Sequence, residues 1–140
     1  MTLKKVILVS IVVIICVGLG AGYYEYNKAP QDVSELKAEQ VSSVDLFKKF
    51  SGNEQQANTL YLNKALEVSG TVLEVKHTQE KQVQVILDAG DPMFGIACTM
   101  DNAEKEEPLN TLKAGDPATI KGICTGYLND VVLIRSQLRK

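Results

Sequence analysis

The sequence of 140 residues has one histidine, three cysteines, four prolines and no tryptophan, and neither charge sign dominates, with 15 basic residues against 17 acidic. With one histidine, a catalytic triad, a Cys–His pair or a zinc site would have to recruit His77. That residue sits beside Lys76 in an expected hairpin, where a solvated loop position is the simpler reading. No glycine-rich run precedes Lys-Ser or Lys-Thr, which excludes a phosphate-cradling loop. The acidic group Asp101, Glu104, Glu106 and Glu107 lacks the alternating oxygen ligands and central glycine of a calcium loop, and reads as a solvated segment. Ten glycines, four prolines and 23% charged residues exclude a disordered or fibrous chain. The length excludes a multidomain enzyme and allows one small domain with an appendage. Catalysis, a metal and a cofactor are not expected.

What is present is unevenly spread. The mean hydropathy of −0.02 looks soluble, yet Val6 to Gly22 reads VILVSIVVIICVGLGAG, 17 residues without a charge and with Ser10 as the one polar side chain. Lys4 and Lys5 precede the run, and Tyr23, Tyr24 and Tyr26 follow it. At ~1.5 Å per residue the run and its tyrosine flank reach about the ~30 Å of a bilayer core. Lysines before the run set the N-terminus inside, and the tyrosines suit the far interface. A buried core helix would show a polar face, and none exists here. Residues 1–26 therefore read as a transmembrane anchor. A cleaved signal peptide competes, since Gly20-Ala21-Gly22 supplies small residues at the cleavage positions, although signal cores usually run ~7–15 residues. Lipidation at Cys16 competes less well, because Ile15 stands where a small residue is needed. On each of these readings the remainder of the chain lies outside the cytoplasm.

Setting the anchor aside changes the balance. Lys4 and Lys5 are the only charges before Tyr23, so 13 basic residues face 17 acidic beyond it, a net of −4. A grip on phosphates needs a basic stripe, and this part is acidic. Cys16 falls in the membrane, while Cys98 and Cys124 lie outside, where a disulfide can persist.

Residues 27–42 are polar, contain Pro30 and carry no sustained apolar face, so a tether is expected there, with a frayed helical piece around 34–40. The domain is expected over 43–140. Ser42-x-x-Asp45 resembles a capping box, and Leu46, Phe47, Phe50, Ala57, Leu60 and Tyr61 follow at helical spacing, with Gly52 weakening the middle. One helix or two short ones are expected. From Leu66 the period becomes two. Leu66, Val68, Gly70 and Val72 alternate, then Leu73 and Val75 take the opposite phase, so a bulge beside Gly70 is expected to let one long strand serve two sheets. Val83, Val85 and Leu87 make a second strand; Phe94, Ile96, Cys98 and Met100 a third; Ala118, Ile120, Gly122 and Cys124 a fourth; Val132, Ile134, Ser136 and Leu138 a fifth. A helical turn is expected around 109–113. The class is mainly β. Five strands, a bulged first strand and a long insert between the third and fourth describe an OB-fold barrel, with other small barrels compatible with the strand count alone.

Two stretches carry a resemblance: Asn53-Glu54 through Ala57, Tyr61, Lys64 and Glu67-Val68 to Gly70, and Gly115-Asp116 through Thr119-Ile120-Lys121-Gly122, Cys124 to Leu128 and Asp130 to Leu133. They are similar to the tRNA-anti-like OB-fold family of small exported or membrane-attached bacterial proteins, over roughly residues 43–139. The resemblance implies a single-pass protein of the bacterial inner membrane and, by the family's name, kinship with nucleic-acid binders. Kinship of fold does not set function. Many members of that family carry a further cysteine on the last strand, where this chain has Ser136. By alternation Cys98, Cys124 and Ser136 point inward. In an OB barrel Cys98 and Cys124 stand two strand spacings apart, near ~9–10 Å, beyond the ~4.4–6.8 Å of a disulfide. Two buried thiols are expected, with a disulfide left open because barrel curvature narrows the gap. Weak candidates for ligand contact are Lys76, His77, Lys81, Lys121 and Tyr127. They form a thin set for a nucleic acid, which also wants stacking aromatics across strands two and three. A binding or interaction module with an envelope protein or saccharide partner is favoured, and single-stranded nucleic acid is the alternative.

Overall fold

The computed structural model describes residues 2–27, 31–101 and 107–139. The chain forms two compact units, Met1–Gln31 and Asp32–Lys140. The first unit is one helix, α1 (Leu3–Tyr26), with no buried residue. Its 24 residues span about 36 Å, so it is long and apolar enough to cross a membrane. The one polar side chain in the run spends its hydroxyl inside the helix, where Ser10 Oγ donates to Ile7 O at 2.8 Å. That satisfies the serine donor within the helix, as a lipid environment requires.

In the second unit a 3-10 turn (Val33–Glu35) leads to β1 (Glu39–Ser42), α2 (Ser43–Gly52), α3 (Glu54–Tyr61), β2 (Ala65–His77), β3 (Val83–Asp88) and β4 (Gly95–Met100). A second 3-10 turn (Glu107–Thr111) precedes β5 (Pro117–Tyr127) and β6 (Val131–Arg139). The sheet order is β1-β2-β3-β4-β6-β5, and a β2–β5 pairing closes it. Strands β2 to β6 thus make a closed five-stranded barrel, and β1 is an extra strand running parallel to β2, Glu39 beside Leu66 through Ser42 beside Ser69. This is the OB-fold.

Local chemistry explains the helices. Ser42 caps α2 by accepting from Asp45 N at 3.1 Å, and Asn53 caps α3 by accepting from Gln56 N at 3.1 Å. The helical run is therefore two helices, broken after Gly52. Helix α2 touches β1, β2, β3, β4 and β6, so it lies across one end of the barrel, and it buries Leu46, Phe47 and Phe50 there. Gly70 has its role in that contact: a Cβ at this position would overlap the Ser43 side chain, whose hydroxyl donates to Asp88 O.

Four expectations need correction. The tether expected over 27–42 does not hold from Asp32 on, where the chain belongs to the barrel unit, and residues 28–30 of it lie outside the described residues. Val33 is buried, and residues 39–42 pair with β2. The bulge in β2 lies between Val72 and Glu74, not beside Gly70. It leaves Leu73 on the outside while the strand passes from β5 to β3. The inner face of β6 begins with Val131 and Leu133 rather than Val132 and Ile134. Registers slip at Arg135, which sits at φ 51, and the extra residue returns the inward phase to Ser136. Finally, the expected turn at 109–113 is centred two residues earlier. Glu104 and Glu106 lie outside the described residues.

Candidate functional site

The β2–β3 hairpin brings together three of the five candidates. Lys76 and His77 end β2, and Lys81 stands in the turn at φ 61. The turn is closed by Thr78, which exchanges hydrogen bonds with Gln82 through both its backbone and its side chain at 2.9–3.2 Å. All three candidates are exposed. Acidic residues stand among them: Lys76 pairs with Glu74 at 3.4 Å, and Glu80 shares the turn with Lys81. The tip therefore gathers lysines without gathering positive charge.

Lys121 is not in this group. It is 4% exposed, and its Nζ donates to Ser34 O at 3.0 Å and to Leu36 O. Beside it Gln137 donates to Asp32 at 3.0 Å. Asp32 also accepts from Ser34 N, and these bonds hold its carboxyl below the usual carboxylate range. Lys121 is a clamp on the segment entering the barrel, and burial withdraws its ammonium from ligands in bulk solvent.

Tyr127 is committed to packing. Its ring stacks on Phe50 at 5.9 Å and meets Phe47 edge-on at 5.9 Å, and Phe50 in turn lies 6.1 Å from Tyr61. Nearby, Lys49 donates to the Tyr61 hydroxyl and lies over its ring, which raises the lysine pKa. The outer side of β3, β4 and β6 carries Gln84, Ile86, Ala97, Thr99 and Val132, in a register that sets Ile86, Ala97 and Val132 side by side. No aromatic or basic side chain stands in that row.

Cys98 and Cys124 are buried free thiols. Each pairs in register with Leu133, from opposite sides of β6, so two strand spacings do separate them. Burial pushes the Cys98 thiol up to about 12 and the Cys124 thiol up as well. Neither supplies a thiolate near neutral pH. Ser136 fills the space between Gly122 and Met100: a Cβ on Gly122 would stand 2.5 Å from Ser136 Oγ. That hydroxyl is buried with no hydrogen-bond partner among the described residues. Among the described residues no cluster of three His, Cys, Asp or Glu side chains could hold a metal ion.

One concavity is lined mainly by residues outside the candidates expected from sequence. Glu54, Asn58 and Leu62, four residues apart along α3 and its end, face Thr125, Gly126, Tyr127, Leu128 and Val132 of the β5–β6 hairpin across about 430 Å³. The signal was available in the i, i+4 spacing of Glu54 and Asn58, but solvent and a hairpin wall are indistinguishable from one helix alone.

Closed barrel, flanking strand and end-capping helix pair define an OB-fold module. The chain belongs to the tRNA_anti-like family, whose model matches residues 1–138. Among solved structures it is similar to a "putative nucleic acid-binding lipoprotein" of Klebsiella pneumoniae, at 19% identity and TM-score 0.53, covering 81% of this chain and 100% of that one. A looser likeness, 16% identity and TM-score 0.44, is to the yeast Stn1 and Ten1 structure, over 74% of this chain and 64% of that one. No curated protein matches the chain.

Proposed function

We propose that the protein is a membrane-anchored binding module without catalytic activity, held by α1 in a bacterial cytoplasmic membrane with its barrel outside the cytoplasm, and that its partner is an envelope protein or saccharide. The observation that carries this reading is the fate of the basic and aromatic candidates. Lys121 is consumed by the entering segment and Tyr127 by Phe47 and Phe50. What is left is a charge-balanced hairpin on a domain of net negative charge, while affinity for single strands rests on counterion release and stacking. In-cell photocrosslinking from positions around the barrel, read by mass spectrometry, tests it. Capture of an envelope protein or glycan supports the module, and recovery of nucleic acid alone overturns it. N-terminal mass spectrometry tests the anchor, which fails if the mature chain begins at or near Tyr23.

Single-stranded nucleic-acid binding is the second reading. It is favoured by the grouping of Lys76, His77 and Lys81 on one exposed hairpin and by the similarity to the "putative nucleic acid-binding lipoprotein" of Klebsiella pneumoniae. It requires retention on a dT oligonucleotide that weakens steeply with salt and is lost in Lys76→Ala/Lys81→Ala.

A further inference from the structure

We infer that the groove between α3 and the β5–β6 hairpin is a saccharide site, an inference that rests on the binding-module reading and gives it a place and a ligand class. The groove, about 430 Å³, falls within the ~300–1,000 Å³ of small-molecule sites. Its lining mixes two kinds of group. Glu54 and Asn58 of α3 and the Thr125 hydroxyl, which donates to Val132 O at 3.3 Å, supply polar atoms. Leu62 at 37% exposure on one wall and Leu128 at 87% on the other supply apolar surface, with the part of Tyr127 that its packing on Phe50 and Phe47 leaves at the groove. Hydroxyl groups and apolar ring faces are likewise the two kinds of surface of a pyranose.

The hydrogen-bonding groups also discriminate among ligands. Asn58 Oδ1 is shielded from water and has no donor among the described residues, a state that leaves an acceptor unsatisfied. Asn58 itself is half-buried and lines the groove. No basic side chain lines the groove, so phosphate groups have no counter-charge there. A lysine or arginine side chain of a peptide would have the Glu54 carboxylate alone as a charge partner. Glu54 is exposed, and exposed pairs contribute little. Neutral hydroxyl donors suit the set better.

Position agrees with such a role. The chain enters the barrel unit at Asp32, beside Gln137 near the end of β6, whereas Leu128 and Tyr127 stand at the hairpin that begins β6. Six residues of strand separate the two ends, roughly 20 Å at ~3.3 Å per residue. The groove is thus at the far end of the barrel from its covalent attachment.

The test uses the full chain in detergent micelles and saturation-transfer-difference NMR with chitotriose and cellotriose, with trilysine and a dT oligonucleotide as comparison probes. The site requires transfer to the sugar ring protons, a fall in affinity of about 3–10-fold in Asn58→Ala, and a comparable fall in Leu128→Asp. The Leu128 side chain is 87% exposed and free to change without unfolding the barrel. No transfer from either sugar, or transfer unchanged in both variants, overturns the site, as does trilysine or dT binding there with neither sugar bound. If crosslinking captures an envelope partner on another face while both sugars fail, the module reading stands and this site falls.

Discussion

Lys121 shows how much a single residue decides. From sequence it counted as one of a few basic groups near a binding face, but its ammonium serves two backbone carbonyls of residues 34 and 36. Replacing it with methionine keeps the stem and removes the donors, leaving Ser34 O and Leu36 O without their partner. Amides of residues 36–42 should then exchange at least about tenfold faster, corresponding to ~1.4 kcal/mol of lost local stability, while barrel amides keep their protection. Ser136 and Gly122 form a second residue-scale pair. Ser136→Ala removes a buried hydroxyl with no partner and should raise stability by on the order of 1 kcal/mol. Gly122→Ala places a Cβ 2.5 Å from Ser136 Oγ and 3.2 Å from Ile134 O and should cost about 1–3 kcal/mol. Urea titrations with unchanged slope would measure both. The double variant should lose less than the sum of the parts, because Ser136 Oγ is the nearest obstacle.

Elements differ in how far local sequence specifies them. The Ser42–Asp45 cap, the apolar spacing of α2 and α3 and the alternation in β3, β4 and β5 are all local, and they were legible. Ser42→Ala should cost about 1 kcal/mol, read as a lower urea midpoint, since α2 covers the barrel end. The bulge was legible in kind but not in place: alternation shows that phase changes near residues 70–73, whereas the hydrogen-bond slip that locates it involves β3. In β6 the same device hid completely, because Val131, Val132, Leu133 and Ile134 are all apolar and either phase fits. Strand β1 was illegible for a different reason. Its four residues, EQVS, have no pattern of their own; they are held by β2, and the segment before them by the Lys121 clamp much later in the chain. The groove belongs with β1, since one of its walls comes from α3 and the other from a hairpin more than 60 residues on.

At the scale of the molecule, a chain of near-zero mean hydropathy is an apolar helix and an acidic barrel. The barrel core contains two thiols whose ionisation burial disfavours. For Cys98 the unfolded chain loses its proton near 9.0 and the folded chain near 12, so between those values the native state binds more protons. Stability should be unaffected below about pH 9 and fall progressively as pH rises toward 12. Thermal unfolding of the wild type and Cys98→Ala across that range would show the difference as a weaker alkaline loss in the variant. In the native state at neutral pH both barrel thiols should resist an alkylating reagent, and denaturation without reductant should release both.

The clamp on residues 32–36 also has a consequence in time. The bonds that hold this segment join Ser34 to Lys121 across 87 positions and Asp32 to Gln137 across 105. A chain made from its N-terminus forward presents the segment first and its partners almost last. While β2 to β4 emerge, residues 32–36 lack both of these partners, and contacts of such wide separation form slowly. The final nine-residue strand therefore completes both the barrel and the joint at its entrance, so truncating β6 should free the beginning of the domain along with its end.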